Sequence, residues 1–262
     1  MSRKTAVITG ASSGIGLELA RLFAADGYDL VVSARREERL RQLADELRDA
    51  CGTAVHIVPL DIAQPGAADA LWQAIVAIAP EVEVLVNNAG VGDAGPFALE
   101  RPEAIERMIQ LNISALTSLT RHVLPGMIER GHGRILNVAS LAGLQPGGPG
   151  MSVYYASKSY VLAFSRGIRR ELRGSGVSVT ALCPGPTSTE FEETAGAQRT
   201  LLFRWTRPMA ASAVALAGYR AMQRGCGMAV PGLLNKLLAA GARLSPAAIA
   251  LEVNRFLLAE RR

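Results

Sequence analysis

The chain has 262 residues, 49% of them hydrophobic and 19% charged, which is enough apolar material for one substantial core and too little charge for disorder. Its formal net charge of +5 is spread along the sequence and not gathered into a basic tract, so no nucleic-acid partner is expected. The three cysteines are an odd number without CxxC spacing, which predicts reduced thiols in the cytoplasm and no metal site.

Short apolar runs alternate with longer segments of helical period. Strands are predicted at Ala6–Ile8, Leu30–Val32, Val55–Val58, Val84–Val86, Arg134–Val138 and Val177–Cys183. Helices are predicted at Gly14–Asp26, Glu37–Ala50, Ala67–Ala79, Glu103–Ile128 and Val153–Arg173. Because the strand runs are continuously apolar, they are typical of strands covered on both faces. The pattern predicts one three-layer α/β domain with a doubly wound parallel sheet of six strands.

The regular pattern lapses after Pro184, and residues 186–208 are predicted to form a substrate loop, because long loops in compact domains are usually functional. Its bulky residues are Phe191, Phe203 and Trp205. Residues 233–262 are predicted to form a helical extension of two helices separated by Pro246. The extension is a candidate subunit contact, lid or peripheral membrane helix, with ordinary packing favoured over the membrane alternative. No segment is predicted to span a membrane, and no export signal is predicted.

A glycine-rich turn directly follows the first predicted strand and opens the first helix. It contains Gly10, Ser12, Ser13, Gly14, Ile15 and Gly16. Glycines at such a turn let the backbone approach a pyrophosphate, which the free N–H groups and the positive end of the helix can bind. The spacing differs from the common GxGxxG pattern, so the turn alone only indicates a phosphate site.

The same turn also matches GxSxG, the nucleophile elbow of α/β-hydrolases. That chemistry needs a downstream acid and histidine. His56 lies in a predicted strand, and His122 and His132 flank a helix end with no evident acid partner. The hydrolase alternative is therefore disfavoured, as is a purely structural turn.

Four further motifs follow the turn in order along the chain. They are Asn87–Gly90, Ser140, the YxxxK pair of Tyr154 and Lys158, and Pro184–Gly185. Together with the TGxxxGxG pattern of Thr9–Gly16, they resemble the short-chain dehydrogenase/reductase family. The resemblance implies a Rossmann-type fold, a nicotinamide dinucleotide, and hydride transfer at a carbonyl or secondary alcohol carbon. It also implies a homodimer or homotetramer, built on the helices that begin at Glu103 and Val153.

The resemblance implies further contacts with the cofactor. The implied residues are Asp61, Ile62, Asn88, Ala89, Gly90, Tyr154, Lys158, Pro184, Gly185 and Thr187. Asp61 would contact the adenine, with a helix N-cap as the alternative. Asn88 and Gly90 would pack the sheet edge against the cofactor, and Thr187 would contact the carboxamide.

The end of the second strand predicts the choice of cofactor. NAD-binding sheets carry an acid there for the ribose 2′-OH, whereas an arginine accommodates the 2′-phosphate of NADP. This chain has Ala34 at that place, followed by Arg35. A guanidinium binds phosphate in a bidentate, charge-assisted way, so NADP(H) is favoured. The alternative is that Arg35 and Arg36 only solvate the start of a helix.

Tyr154 is the predicted general acid/base, because hydride transfer needs a proton donor aimed at the carbonyl oxygen. Its ordinary pKa of about 10 is high for exchange near neutrality, and Lys158, one helical turn on, is expected to lower it. Tyr155 shares that spacing, and only the family pattern selects Tyr154. The resemblance further implies that Ser140 binds the substrate oxygen and that Asn112 holds a water linked to the lysine. Local bonding to the backbone is the alternative role for Asn112.

The substrate is the least determined feature. The segment Leu141–Met151 is rich in Gly and Pro and nearly apolar, which favours a hydrophobic or medium-sized carbonyl compound. Two functions remain open. The favoured one is an NADPH-dependent carbonyl reductase, and the alternative is a catalytically silent NADP-binding regulatory or scaffold protein.

Overall fold

A computed structural model describes residues 3–196, 198, 200–201 and 207–259 of the chain. The predicted loop residues Phe203 and Trp205 lie outside these ranges. Strands are β1 Thr5–Thr9, β2 Asp29–Ala34, β3 Val55–Pro59, β4 Val84–Asn87, β5 Gly133–Val138, β6 Val177–Leu182, β7 Thr187–Ser188, β8 Met209–Ala210 and β9 Met228–Ala229. Helices are α1 Gly14–Ala25, α2 Glu37–Cys51, α3 Ala67–Ile78, α4 Pro102–Ile109, α5 Leu116–Arg130, α6 Ser152–Glu171, α7 Glu190–Thr194, α8 Ala211–Gln223, α9 Leu233–Leu244 and α10 Ala247–Leu257.

The main sheet has the order β3-β2-β1-β4-β5-β6-β9, and every neighbouring pair is parallel. Helices cover both of its faces, and each face has its own apolar core. Leu19 and Phe23 of α1 pack in one core, and Leu119 and Val123 of α5 in the other. The doubly wound parallel sheet predicted from the continuous apolar runs is confirmed.

The prediction of six strands in the sheet was one too few. The seventh strand, β9, has only two residues, Met228 and Ala229, which pair with Ala181 and Leu182 of β6. A pair of residues is too short to show the apolar run by which a buried strand is recognised in a sequence.

The single helix predicted at Glu103–Ile128 is interrupted in the structure. A π-helical turn spans Gln110–Ala115 between α4 and α5. Such turns contain one extra residue per turn and are frequent at functional sites. Hydrophobic periodicity does not reveal them, because the apolar face continues across the turn.

The two predicted C-terminal helices are confirmed as α9 and α10. Proline at position 246 precedes α10, as expected for a residue that sets φ at a helix start. Within the part of the chain that the structure describes, no helix is long and apolar enough to cross a bilayer.

Candidate active site

A cavity of about 570 Å³ lies at the carboxyl ends of the sheet strands. It extends across β1 and β4, where the strand order reverses direction, which is the place where doubly wound sheets bind ligands. The predicted residues that line it are Gly10, Ser12, Ser13, Gly14, Ile15, Arg35, Asp61, Ile62, Asn88, Ala89, Gly90, Ser140, Tyr154, Lys158, Pro184, Gly185 and Thr187. Gly16 and Asn112 are the two predicted residues that lie behind this lining, within the part of the chain described.

The glycine turn is shaped by close backbone approach. Gly10 and Gly14 have φ of +69° and +56°, a region that strains residues with a Cβ. A Cβ on Gly16 would lie 2.3 Å from the Gly10 carbonyl oxygen and 2.4 Å from Asn88 Nδ2. The turn therefore presents backbone to the cavity at the start of α1, which is the geometry that a pyrophosphate requires.

Asn88 holds the glycine turn against β4. Its Nδ2 donates to the carbonyl oxygens of Thr9 and Gly10 at 3.0 and 3.1 Å. The Thr9 hydroxyl accepts from the backbone N–H groups of Asn88 and Ala89, both at 3.1 Å. These bonds connect β1 and β4 at the place where the strand order reverses. The glycine turn, called the cradle below, and the carboxyl end of β4 therefore form one unit.

The end of β2 carries the basic groups of the cavity. Arg36, and not Arg35, contacts the cradle: its Nη2 donates to the Ser12 and Ser13 hydroxyls at 3.0 and 2.9 Å. Arg35 lines the same cavity. Among the described residues, the hydroxyl of Ser33 is buried there without a hydrogen-bond partner. Two guanidinium groups and an unpaired hydroxyl fit the phosphorylated ribose of a dinucleotide.

A carboxylate from the substrate loop lies on this basic group. Glu190 forms ion pairs with Arg36, at 2.7 Å, and with Arg39. Burial raises the Glu190 pKa, but hydrogen bonds from Arg39, Arg36 and Ser13 outweigh it and leave the pKa below its usual value. Sequence reasoning missed this carboxylate, because 151 residues separate it from Arg39 and no local motif marks it.

Asp61 lies at the rim of the cavity in a pair with Arg107. Arg107 Nη2 donates to Asp61 Oδ1 at 2.9 Å, and the same oxygen accepts from the backbone N–H of Ala63 at 3.2 Å. The second contact is a bond within a local turn, and the helix N-cap alternative is wrong, because α3 begins at Ala67 with Gly66 at its N-cap. Contact of Asp61 with an adenine stays a prediction.

Tyr154 lies near the base of the cavity, and its ring is buried against Phe191. The side chain of Ser140, which follows the carboxyl end of β5 by two positions, is close enough to the Tyr154 hydroxyl to lower its pKa. Burial raises the pKa of Tyr154 to about 12, and the Ser140 side chain opposes this rise. The phenol is therefore held in its protonated form.

Lys158 is buried beneath Tyr154, with Nζ 5.8 Å from the centre of the Tyr154 ring. Nζ donates to the carbonyl oxygen of Val138 at 2.9 Å. Burial lowers the pKa of Lys158 to about 8. The expectation that Lys158 depresses the Tyr154 pKa is not met in this structure, because removal of the phenol from water dominates.

Tyr155 points to a different wall of the cavity. A Cβ on Gly148 would lie 2.3 Å from Cδ2 of Tyr155, so this ring packs directly on the loop that precedes α6. Burial raises its pKa as well. The structure thus separates two tyrosines that helical spacing leaves equivalent: the Ser140 side chain acts on the hydroxyl of Tyr154 and not on that of Tyr155.

Asn112 lies inside the π-helical turn and is buried. Its side chain accepts from the Val91 backbone N–H at 3.0 Å and donates to the Val91 carbonyl at 2.9 Å. It also donates to the Ser157 hydroxyl at 3.0 Å. These bonds fix the segment after β4 against α6, and the backbone that Asn112 binds is 21 residues away and not local, as the alternative had it. The water-binding role stays a prediction.

The substrate loop begins at the cavity. Thr187 donates to the Gly185 carbonyl at 2.9 Å, and the Pro184 carbonyl accepts from the Leu141 N–H at 2.7 Å. Further along, a Cβ on Gly14 would lie 2.9 Å from Thr189 Cγ2, so the loop covers the cradle.

The two C-terminal helices complete the cavity. Leu237 and Leu238 of α9 and Ile249 and Val253 of α10 line it. Asn254 Nδ2 donates to the Gly147 carbonyl at 2.7 Å and fixes α10 to the nearly apolar segment Leu141–Met151, called the apolar loop below. No short-range pattern reveals this contact, because 107 residues separate its partners.

Comparison with known proteins agrees with this arrangement. A family model described as short chain dehydrogenase matches residues 4–200. The chain is 41% identical over 215 residues to sulfoacetaldehyde reductase 2 of Chromohalobacter salexigens, covering 80% of this chain and 84% of that one. A short-chain dehydrogenase from Sphingobium yanoikuyae in complex with NADPH superimposes with a TM-score of 0.81 at 37% identity, covering 92% and 93% of the two chains. A family member from Burkholderia phymatum in complex with NAD gives 0.82 at 28% identity, covering 93% and 92%.

Proposed function

The chain belongs to the short-chain dehydrogenase/reductase family, and on this basis we propose that it is an NADP(H)-dependent oxidoreductase that moves hydride between the nicotinamide and a carbonyl or secondary alcohol carbon. The observation that carries the proposal is that the Ser140 side chain acts on the Tyr154 hydroxyl, with Lys158 buried beneath that tyrosine, at the base of a cavity that also contains the glycine cradle. Acid/base groups and a phosphate site share one cleft.

The preference for NADP(H) is supported by charge at the end of β2. Arg35 and Arg36 would hold the 2′-phosphate, and the Ser12 and Ser13 hydroxyls would complete the site. An acid at position 34 would repel that phosphate, and the residue there is alanine. One family member binds NADPH and another binds NAD, so the family alone does not decide the cofactor, and the proposal of NADP(H) is supported by these side chains.

When bound, the reduced cofactor supplies hydride to the carbonyl carbon. Tyr154 donates the proton that the carbonyl oxygen gains, and it takes the proton back in the oxidative direction. Ser140 holds the same oxygen by a hydrogen bond. Lys158 provides a positive charge below the phenol, which stabilises the phenolate left after proton donation. An alkoxide is a stronger base than a phenolate, so a Tyr154 pKa of about 12 still permits donation.

A substrate panel tests the proposal. Purified protein would be assayed with ketones and aldehydes in the presence of NADPH or NADH, and with secondary alcohols in the presence of the oxidised cofactors, by following nicotinamide absorbance. We expect reduction with NADPH and a much lower kcat/KM with NADH. NADPH binding without turnover across the panel would instead support the regulatory or scaffold alternative.

We also propose that residues 1–262 form one nucleotide-binding domain, with a substrate loop at 186–208 and a helical extension at 233–262. The protein would act in the cytoplasm as a homodimer or homotetramer. Light scattering of the purified protein tests the assembly.

A further inference from the structure

The cavity has a charged half and an apolar half. Its charged lining side chains, among the residues described, are Arg35, Arg36, Asp61, Arg107, Glu190 and Lys158. Five of these lie at the cofactor end, where Arg36 pairs with Glu190 and Arg107 with Asp61. Lys158 is buried under Tyr154 and bonded to the backbone. None of the six lies in α9 or α10, so none of the side chains described on that wall would pair with a negatively charged substrate group.

The wall opposite the cofactor end is apolar from its base to its mouth. At the base, Leu258 packs in a buried cluster with Met151, Tyr154 and Tyr155. At the mouth, Leu237 is 62% exposed and Val253 50% exposed, and both line the cavity. A continuous apolar surface that runs from the catalytic tyrosine to solvent is favourable only when something apolar covers it.

The polar side chains described in this wall are neutral, and Asn254 forms hydrogen bonds within the protein. Asn254 is bonded to the Gly147 carbonyl, and Asn254 also donates to Gln145 Oε1 at 3.5 Å. These contacts keep α10 against the apolar loop. Among the lining residues that the structure describes, α9 and α10 contribute no cation to the region above Tyr154.

From this arrangement we infer that the substrate is an uncharged carbonyl compound with a large apolar body, held between α9, α10 and the Leu141–Leu144 turn, with its carbonyl at Tyr154. The inference rests on the proposed function and names its substrate class. It separates this chain from the relative named for sulfoacetaldehyde, a small anionic aldehyde. The apolar body would contact Leu237 and Val253 and remove both from water.

Two substrate comparisons test the inference. Along the methyl ketones from butanone to decan-2-one, we expect kcat/KM with NADPH to rise about two- to fourfold per added methylene, the gain for burying that group. For a matched pair, a keto acid and its methyl ester, we expect the ester to exceed the acid at least about tenfold, since the carboxylate would be desolvated without a partner. A flat chain-length series, or preference for the acid, would overturn the inference.

A charge-introducing variant tests the location. Val253→Lys places an ammonium at the mouth of the cavity, whereas Leu244→Lys places one on an 86% exposed residue that does not line it. We expect Val253→Lys to raise the acid-to-ester ratio of kcat/KM at least about tenfold by pairing with the carboxylate, and Leu244→Lys to leave it unchanged. Equal effects of the two variants would overturn the assignment of this wall to the substrate.

These outcomes are distinguishable from failure of the proposed function. If the protein reduces small or anionic carbonyls and Tyr154→Phe abolishes that activity, the oxidoreductase stands and the substrate class is wrong. If no carbonyl compound is reduced with either cofactor, both are wrong. If Leu237→Glu changes the oligomeric state in light scattering but not the chain-length dependence, the apolar wall is a subunit contact and the inference fails.

Discussion

Glu190 of the substrate loop and Arg36 at the end of β2 form an ion pair, with 2.7 Å between Oε2 and Nη1. The same guanidinium donates to the hydroxyls of Ser12 and Ser13 in the glycine cradle. A carboxylate is thus paired with the Arg36 guanidinium, which in the proposed function binds the 2′-phosphate. The pair links the position of the loop to the binding of the cofactor.

Removal of this carboxylate should tighten cofactor binding. Exposed ion pairs contribute about 0.2–1 kcal/mol, so Glu190→Gln is expected to lower the Kd for NADPH by a factor of up to about five. The Kd for NADH, which has no 2′-phosphate, should change less. Isothermal titration calorimetry measures both, and Glu193→Gln on the same helix is the matched control. Weaker NADPH binding by Glu190→Gln would show that the carboxylate does not compete with the phosphate.

Mutation can separate the contributions that Arg35 and Arg36, the two arginines after β2, make to NADPH binding. Sequence favours Arg35 for the 2′-phosphate and the structure places Arg36 on the cradle, and both line the cavity. Hydrogen bonds to charged groups contribute about 1.5–3 kcal/mol, so each alanine substitution should raise the Kd for NADPH about tenfold or more. Arg41→Ala, on the exposed face of α2, is the control. An unchanged Kd for both variants would refute the assignment of NADP(H) specificity to this site.

The neighbouring tyrosines should differ sharply in turnover. Tyr154→Phe removes the phenol that contacts Ser140 and is expected to lower kcat by about a hundredfold or more, the usual contribution of a general acid. Tyr155→Phe keeps the ring on Gly148 and should retain most activity. Steady-state kinetics with one reducible ketone compares them, and unchanged NADPH affinity would show that both variants keep the cofactor site. The reverse ranking would move the acid/base role to Tyr155.

Lys158 should make stability depend on pH. Its folded pKa, about 8, lies below the ordinary value of 10.5, so between these pH values the unfolded chain binds more protons. The free energy of unfolding should therefore rise with pH across that window, by at most about 3 kcal/mol from this group. Urea unfolding of wild type and Lys158→Met measures the effect as a difference, because Cys183, whose pKa burial raises to about 12, titrates in both proteins. Parallel pH profiles would contradict it.

The main architecture could be predicted because short stretches of sequence indicate it. Continuous apolar runs indicate strands covered on both faces, and TGxxxGxG after the first run indicates a turn that backbone or phosphate approaches closely. The structure confirms the sheet and brings Ser140, Tyr154 and Lys158 together. The strand β9 was not predicted because its two residues are too few to show an apolar run. The π-helical turn was not predicted because one inserted residue does not interrupt the apolar face of the helix.

The missing parts of the site depend on contacts between distant segments. Glu190 reaches Arg39 across 151 residues, and Asn254 reaches Gly147 across 107. Likewise, the Tyr154 pKa depends on how completely the folded chain excludes water, which residue spacing does not report. The sequence therefore indicated the reacting groups, whereas the electrostatics and the substrate wall required the structure.

The pairing of β7 with β8 makes the substrate loop an interchangeable module. Thr187 pairs with Met209 and Ser188 with Ala210, so the two ends of the substrate loop lie side by side. When both ends of a loop are fastened side by side, doubling its length costs only about 0.6 kcal/mol in closure entropy. The intervening segment can therefore change in length at small entropic cost while the sheet stays in place, and such a change alters the surface that Glu190 and Phe191 present to the cavity.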